Sequence, residues 1–141
     1  SRNIFYVDIS DWDVSNVTNM GEMFEGSSLS NEDISNWDVS SVINMNGMFW
    51  ATDFNGDISN WDVSNVTGMG SMFRETVFNG DISNWDVSNV TGMGSMFYDN
   101  PAINQNLSSW NVYEVINCGS FSKYTQQWTL PKPNFTNCDP N

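Results

Sequence analysis

The residues of this chain that could do chemistry are mainly aspartates, which recur in two columns at a near-constant spacing. One column is Asp8, Asp33, Asp57 and Asp81, and the other is Asp13, Asp38, Asp62 and Asp86. If the copies stack in register, like charges about 5 Å apart repel by about 3 kcal/mol per pair at an effective dielectric constant of 20. Either each carboxylate accepts hydrogen bonds from backbone amides just downstream, or a calcium ion binds between layers. We expect the local hydrogen bonds and no required cofactor. Calcium is the alternative, at Asp33, Asp57, Asp81, Asp38, Asp62 and Asp86.

The residue types of this chain give little support for a catalytic site. The chain has no histidine, so a serine or cysteine nucleophile lacks its commonest base. Two of the many aspartates could form an acid pair for glycoside hydrolysis. An active site is normally a unique arrangement, however, and nearly every polar residue here is duplicated. We therefore predict that the protein is not an enzyme.

A third column differs from the others because its residue changes from copy to copy. It reads Glu25, Trp50, Arg74, Tyr98 and Lys123. Trp, Arg and Tyr dominate the energetics of protein interfaces, and repeat proteins typically vary one edge of a constant scaffold to bind ligands. We predict that this column binds a ligand; the alternative is an unconstrained loop tip.

The composition of the chain limits the kinds of partner that it can bind. Four Lys+Arg against 17 Asp+Glu give a formal net charge of −13, which disfavours nucleic acid and anionic membranes because both are bound through Lys and Arg. Cationic partners or oxygen-bound divalent ions fit better. Seven Trp and nine Phe argue against disorder. Cys118 and Cys138 are predicted to form a disulfide, which implies an oxidising compartment; two unpaired buried thiols are the alternative.

An internal repeat positions all these residues. Its tryptophans are Trp12, Trp37, Trp61, Trp85 and Trp110, spaced 24–25 residues apart, and residues 57–67 return unchanged as residues 81–91. Four copies continue with two Met three residues apart and then Phe: Met20/Met23/Phe24, Met45/Met48/Phe49, Met69/Met72/Phe73 and Met93/Met96/Phe97. One such unit cannot bury its apolar side chains alone, so the copies must stack.

The repeat predicts an α/β-type solenoid, a right-handed leucine-rich-repeat-like stack of about five repeats. Each repeat is expected to hold one short parallel strand and one helical or 3-10 turn. The predicted strands are residues 9–14, 34–39, 58–63, 82–87 and 107–112. The Trp column is expected in the core, with an exposed sugar-stacking stripe as the alternative. Residues 1–122 are predicted to form the single repeat domain, and residues 123–141 a C-terminal cap or tail.

The pattern Asp-Ile-Ser-x-Trp-Asp-Val-Ser-Asn-Val-x-x-Met-x-x-Met-Phe recurs over roughly residues 8–122. It resembles the BspA-like leucine-rich-repeat surface proteins of bacteria. The resemblance implies a leucine-rich-repeat-like fold on a secreted or surface-anchored protein, often linked to adhesion, and it transfers no catalytic motif.

Together these observations predict an extracellular or cell-surface, adhesin-like module that recognises a protein or glycan of a host or neighbouring cell. We expect a monomeric part of a longer protein, with no membrane insertion by this segment. The alternative is a structural spacer or stalk, with or without bound calcium. A third hypothesis is an ice- or mineral-facing surface on Thr18, Thr67 and Thr91, a column that Ile43 and Glu114 interrupt.

Overall fold

The computed structural model describes residues 7–30 and 32–141, and it shows five repeats stacked one on another. We number the repeats 1 to 5 by their tryptophans, Trp12, Trp37, Trp61, Trp85 and Trp110. The described residues contain no helix and no strand of more than one bridge. Their regular pairing consists of isolated parallel bridges, at Asn19↔Asn44, Asn44↔Gly68, Gly68↔Gly92 and Gly92↔Asn117.

Each repeat is a succession of tight turns. In the turns that line the interior, the first and the fourth residue carry apolar side chains. In repeat 3 the amide of Trp61 donates to the carbonyl of Ile58 at 3.2 Å. A second turn of this kind spans residues 63–66, and a third joins the amide of Met72 to the carbonyl of Met69 at 3.3 Å. Because the first and fourth residues of a tight turn lie close together, both apolar ends can face the same interior.

The predicted strands at residues 9–14, 34–39, 58–63, 82–87 and 107–112 are therefore wrong. In repeat 3 a carboxylate oxygen of Asp57 accepts hydrogen bonds from the amide of Ser59 at 3.0 Å and from its hydroxyl at 2.7 Å. Such local side-chain bonds compete with extended pairing, and here they bend the backbone just before Trp61. The apolar residues that looked like a strand face are the ends of turns.

The predicted helical or 3-10 turn between the two methionines is also wrong. The third residue of this segment has a positive φ, as at Ser71 with 56° and Gly47 with 62°. A positive φ at that position is what a type II turn requires, and a left-handed residue cannot continue a right-handed helix. The α/β-type, leucine-rich-repeat solenoid class thus does not describe this chain, which is a stack of turn-built repeats.

Hydrogen bonds between repeats hold the stack in register and give it a direction. In repeat 3 the amides of Met69, Ser71, Phe73 and Glu75 all donate to carbonyls of repeat 4 at 2.9 Å. The same four positions donate in repeats 1, 2 and 4. The donors of this segment always face the next repeat, whereas amides just before it donate to the preceding repeat, as that of Thr91 does to the carbonyl of Thr67 at 2.9 Å.

A continuous apolar core lies inside the turns. The Ile, Val, Met and Phe columns of repeats 2 to 4 are at most 2% exposed, and successive Phe rings stack with centroids 5.6–6.0 Å apart. The indoles of repeats 2 to 5 are 4–5% exposed, and each Nε1 donates to an Ile carbonyl of the preceding repeat at 3.0–3.1 Å. The core position predicted for the Trp column is confirmed for these four and wrong for Trp12, which is 48% exposed.

The C-terminal residues pack against the last repeat. Trp128 contacts Phe97 with centroids 5.3 Å apart, and its Nε1 donates to the carbonyl of Gln105 at 2.8 Å. The predicted disulfide is confirmed: Cys118 and Cys138 are bonded, and Cys118 is fully buried. In the part of the chain that the structure describes, no helix has the length and apolar character needed to cross a membrane.

Candidate binding edge

The structure brings together the centre of the variable column, which we call the edge column: Glu25, Trp50, Arg74, Tyr98 and Lys123. The guanidinium carbon of Arg74 lies 4.8 Å from the ring centroid of Trp50 and 4.7 Å from that of Tyr98. Arg74 Nε also donates to Glu75 Oε1 at 3.0 Å. The cation is thus held between the aromatic rings of the repeats before and after its own.

This arrangement orients the surface without burying it. Each exposed cation–π contact contributes about 0.5–1 kcal/mol, so two of them with one ion pair hold Arg74 in place. The Arg74 side chain nevertheless remains 30% exposed. A partner would therefore meet ring edges and guanidinium N–H groups whose positions are already set, which lowers the entropy cost of binding.

The C-terminal end of the column continues through a residue that the sequence analysis missed. The rings of Tyr98 and Tyr124 meet edge to face with centroids 5.3 Å apart, and the Lys123 ammonium lies 5.3 Å from the centroid of Tyr124. Tyr124 directly follows Lys123 in the sequence. This position beside the edge column is the feature from which its contact with the column could have been predicted. At the other end, Glu25 is exposed and forms no ion pair with a described residue.

The backbone beside the edge column is fixed in an uncommon conformation. The residue after each column member has a positive φ: Gly26, Ala51, Glu75, Asp99 and Tyr124, at 52–67°. Its amide donates to the column carbonyl of the next repeat, at 2.9–3.0 Å for the first four. A non-glycine residue with a positive φ lowers the stability of the fold by about 1 kcal/mol or more. The repeats therefore hold the edge in one shape at a cost in folding stability.

The two aspartate columns satisfy their carboxylates locally, as expected. In the second column Asp62 accepts from the amide of Ser64 at 3.0 Å and from its hydroxyl at 2.6 Å. In repeat 5 the first column is Asn106, which accepts the same two bonds from Ser108 at 3.1 and 2.7 Å. A neutral amide can therefore replace the carboxylate. Across residues 7–30 and 32–141, no group of three or more His, Cys, Asp or Glu is arranged to hold a metal ion.

In the first column, bonds of this kind lower the pKa values of the carboxyl groups. The Ser59 hydroxyl, and then the Ser59 amide, hold the pKa of Asp57 below its usual value, and the Ser83 hydroxyl and amide do the same for Asp81. The neighbouring charges of Asp57 and Asp8 act in the opposite direction on Asp33, but its pKa is still lowered on balance. The local bonds outweigh the repulsion within the column.

The stability of the fold should therefore decrease as the pH falls through the pKa values of these carboxyl groups. A carboxyl group whose pKa is lower in the folded chain stabilises the fold above its unfolded pKa of about 3.9, and that stability is lost as the pH falls through the folded value. We expect a melting temperature that is nearly constant from about pH 5 to 7 and falls below about pH 4. Calorimetry on the protein and on Ser59→Ala/Ser83→Ala should show a smaller fall for the variant.

A melting temperature that rises below pH 4 would mean that carboxylate repulsion dominates instead. Calcium provides the second check, because locally satisfied carboxylates need no metal. Scans with a chelator and with millimolar calcium should then coincide, and a calcium-dependent rise of many degrees would contradict this interpretation.

The threonine column has a different last member from the one expected. The Ile116 amide donates to the Thr91 carbonyl at 3.0 Å, just as the Thr91 amide donates to Thr67 at 2.9 Å. Ile116, and not Glu114, is therefore the fifth residue of this column, and with Ile43 it exposes a large apolar side chain there.

The fold and the edge column define a class of protein, a turn-built tandem-repeat protein with one variable edge. The chain belongs to the family described as Mycoplasma protein of unknown function, DUF285, whose model matches residues 1–77 and again residues 51–136. This is the family linked to BspA-like surface repeat proteins. No curated protein and no solved structure matches the chain.

Proposed function

We propose that this chain is a non-catalytic binding module, displayed outside the cell, that holds a protein or glycan ligand on its edge column. The observation that carries the proposal is the guanidinium of Arg74 held between Trp50 and Tyr98 at 4.8 and 4.7 Å. In the Trp and Val columns one residue type is kept, whereas in the edge column the three types most common in binding hot spots meet in three successive repeats.

Two observations support a location outside the cell: the disulfide and the family to which the chain belongs. A disulfide joins Cys118 to Cys138, and such bonds persist mainly in oxidising, extracytoplasmic compartments. A family linked to BspA-like surface repeats fits the same location. We therefore propose that the chain belongs with the BspA-like surface proteins, as a monomeric module of a longer protein that contacts a host or neighbouring cell.

The edge column also predicts the strength of binding. It spans only five repeats, so its contact area is small and one copy should bind with modest affinity, with avidity supplied by many copies on a surface. A spacer or stalk is the rival function. In that case the edge column would bind nothing, and the array would serve only to hold other segments apart.

The test is binding to a panel of glycans and surface proteins, compared between the protein and a Trp50→Ala/Arg74→Ala/Tyr98→Ala variant. We expect a ligand whose affinity falls by more than about tenfold in the variant, because hot-spot truncations typically cost at least 2 kcal/mol. The control is Tyr113→Ala/Ile116→Ala, which removes two side chains that are 68% and 72% exposed outside the edge column.

Two results would contradict the proposal. Equal loss in the control variant would mean that any exposed apolar residue contributes, and unchanged binding in the triple variant would mean that the ligand lies elsewhere. If no member of the panel binds the protein, the spacer function is favoured. Melting temperatures of all variants show whether a loss of binding reflects a loss of folding.

A further inference from the structure

Arg74 is fixed in position but keeps most of its hydrogen-bond donors free. Its Nε donates to Glu75 Oε1 at 3.0 Å, whereas its terminal Nη groups donate to no described residue. The rings of Trp50 and Tyr98 lie on either side of the guanidinium carbon at 4.8 and 4.7 Å. A guanidinium holds its N–H groups in one rigid plane, and their spacing matches the oxygens of a carboxylate. Arg74 therefore offers a preformed set of donors for one carboxylate.

The charges around Arg74 favour a ligand with a single negative group. The chain has a formal net charge of −13, and Glu25, Glu75 and Asp99 lie in the edge column or directly after it. Lys123, the other cation of the column, is two repeats away, which is about 10 Å at the usual spacing of paired segments. A polyanion would meet several carboxylates for each cation that it reached, and like charges at this range repel. One carboxylate on an otherwise uncharged ligand meets less of this repulsion.

Hydrogen-bond acceptors lie beside these donors. Asp99 directly follows Tyr98, is exposed, and forms no ion pair with a described residue. The Glu75 side chain is 39% exposed and binds Arg74 through Oε1. A sugar hydroxyl both donates and accepts hydrogen bonds, so a glycan can use carboxylate acceptors and guanidinium donors together. An acidic protein surface would instead be repelled by Glu75 and Asp99, so a glycan fits this edge better.

We propose that the ligand of the edge column is a glycan with one carboxylate-bearing sugar, whose carboxylate is bound by the Nη groups of Arg74. This inference rests on the proposed function and narrows it to one class of ligand. The hydroxyls of the sugar donate to the carboxylates of Glu75 and Asp99. Its C–H groups pack on the ring of Trp50 or Tyr98, because the face of an aromatic ring is negative and attracts weakly positive C–H groups.

The test compares probes that differ in the carboxylate. Sialyllactose carries one carboxylate on a neutral sugar chain, and its methyl ester has the same skeleton without the charge. A heparin fragment carries many charges, and a neutral peptide with a single glutamate presents the same group on a protein backbone. Binding is followed by NMR titration of the ¹⁵N-labelled protein. The chain has two arginines, Arg2 and Arg74, so an Arg74→Gln variant identifies the Nε–H signal of Arg74.

Three variants separate the charge of Arg74 from its shape. Arg74→Gln removes the charge, and Arg74→Lys keeps the charge but removes the planar fork of donors. The matched control is Lys132→Gln, which removes a cation that lies 4.9 Å from the ring centroid of Trp128, outside the edge column. Melting temperatures show that each variant is folded.

We expect the protein to bind sialyllactose about tenfold more tightly than its methyl ester, because hydrogen bonds between charged groups are the stronger ones. The Nε–H signal of Arg74 should shift with the acid and stay in place with the ester. In Arg74→Gln the acid and the ester should bind alike, since the partner of the carboxylate is gone. Arg74→Lys should keep only part of the preference, and Lys132→Gln should keep all of it. The heparin fragment and the peptide should bind more weakly than sialyllactose.

The inference is overturned if the acid and the ester bind equally, if Arg74→Gln keeps the preference for the acid, or if sialyllactose does not bind. Tighter binding of the heparin fragment would overturn the single-charge argument, and tighter binding of the peptide would assign the edge to an acidic protein. None of these results decides the proposed function. That function fails only if the Trp50→Ala/Arg74→Ala/Tyr98→Ala variant keeps its affinity for a ligand found in the panel, or if no member of the panel binds.

Discussion

Replacing Met72 by Asp should unfold the protein. Met72 is fully buried between layers of the same column, with Met48 and Met96 as its neighbours in the stack. A carboxylate there would be buried without a partner, at a cost of several kcal/mol. That cost is comparable to the whole stability of a typical domain, about 5–15 kcal/mol. Loss of the cooperative melting transition, followed by circular dichroism and tryptophan fluorescence, is the expected result.

The same column supplies a matched control. Met23 occupies the equivalent position in repeat 1, yet its side chain is 38% exposed. Met23→Asp places its carboxylate in contact with water and should cost less than about 1 kcal/mol. A folded Met72→Asp protein with an unchanged melting temperature, or two variants that lose equal stability, would refute the inward orientation of this column.

Breaking the disulfide should have the second largest effect. Cys118 and Cys138 are separated by 20 residues in the chain, and cross-linking a loop of that size stabilises a fold by about 3 kcal/mol in the chain-entropy model. Reduction should also loosen the segment that carries Trp128 and covers the last repeat. We expect the free energy of unfolding in urea to fall by about 3 kcal/mol in the presence of reductant.

A Cys118→Ala/Cys138→Ala variant provides the control. It should be as weak as the reduced protein and should not respond to reductant. Two thiols that react after denaturation without reductant would show that the bond does not form in solution. A reductant effect of equal size on the variant would show that the loss arises elsewhere.

The stacking of the repeats could be predicted from the sequence because it depends on which residue types recur and at what spacing. Ile58, Trp61, Val63 and Met69 recur at constant spacing, and a unit of 24–25 residues with this many apolar side chains is stable only when neighbours cover both of its sides. The same reasoning identified the edge column, where the repeat varies. The disulfide was predicted from the two cysteines, Cys118 and Cys138, which both lie in the last quarter of the chain, and it is confirmed.

The backbone conformation within a repeat could not be predicted in the same way. Pairs such as Ile58 and Trp61 are three residues apart, a spacing that fits a helical turn and a tight turn equally well. The alternation of Trp61 and Val63 fits a strand. The local bonds from Ser59 to the carboxylate of Asp57 were expected, but the sequence did not show that they replace a strand at residues 58–63 with turns.

The sequence by itself thus determined the register of the layers, the apolar columns that face inward and the position where the repeats differ, because each of these is a property of spacing and residue type. Only the tertiary structure decided which conformation the turns adopt and which members of a column are covered. Trp12 and Trp37 stand in the same motif, yet Trp12 is exposed and Trp37 is buried. The difference arises because a side chain is buried by the layer stacked on it, and for Trp12 no described residue supplies that layer.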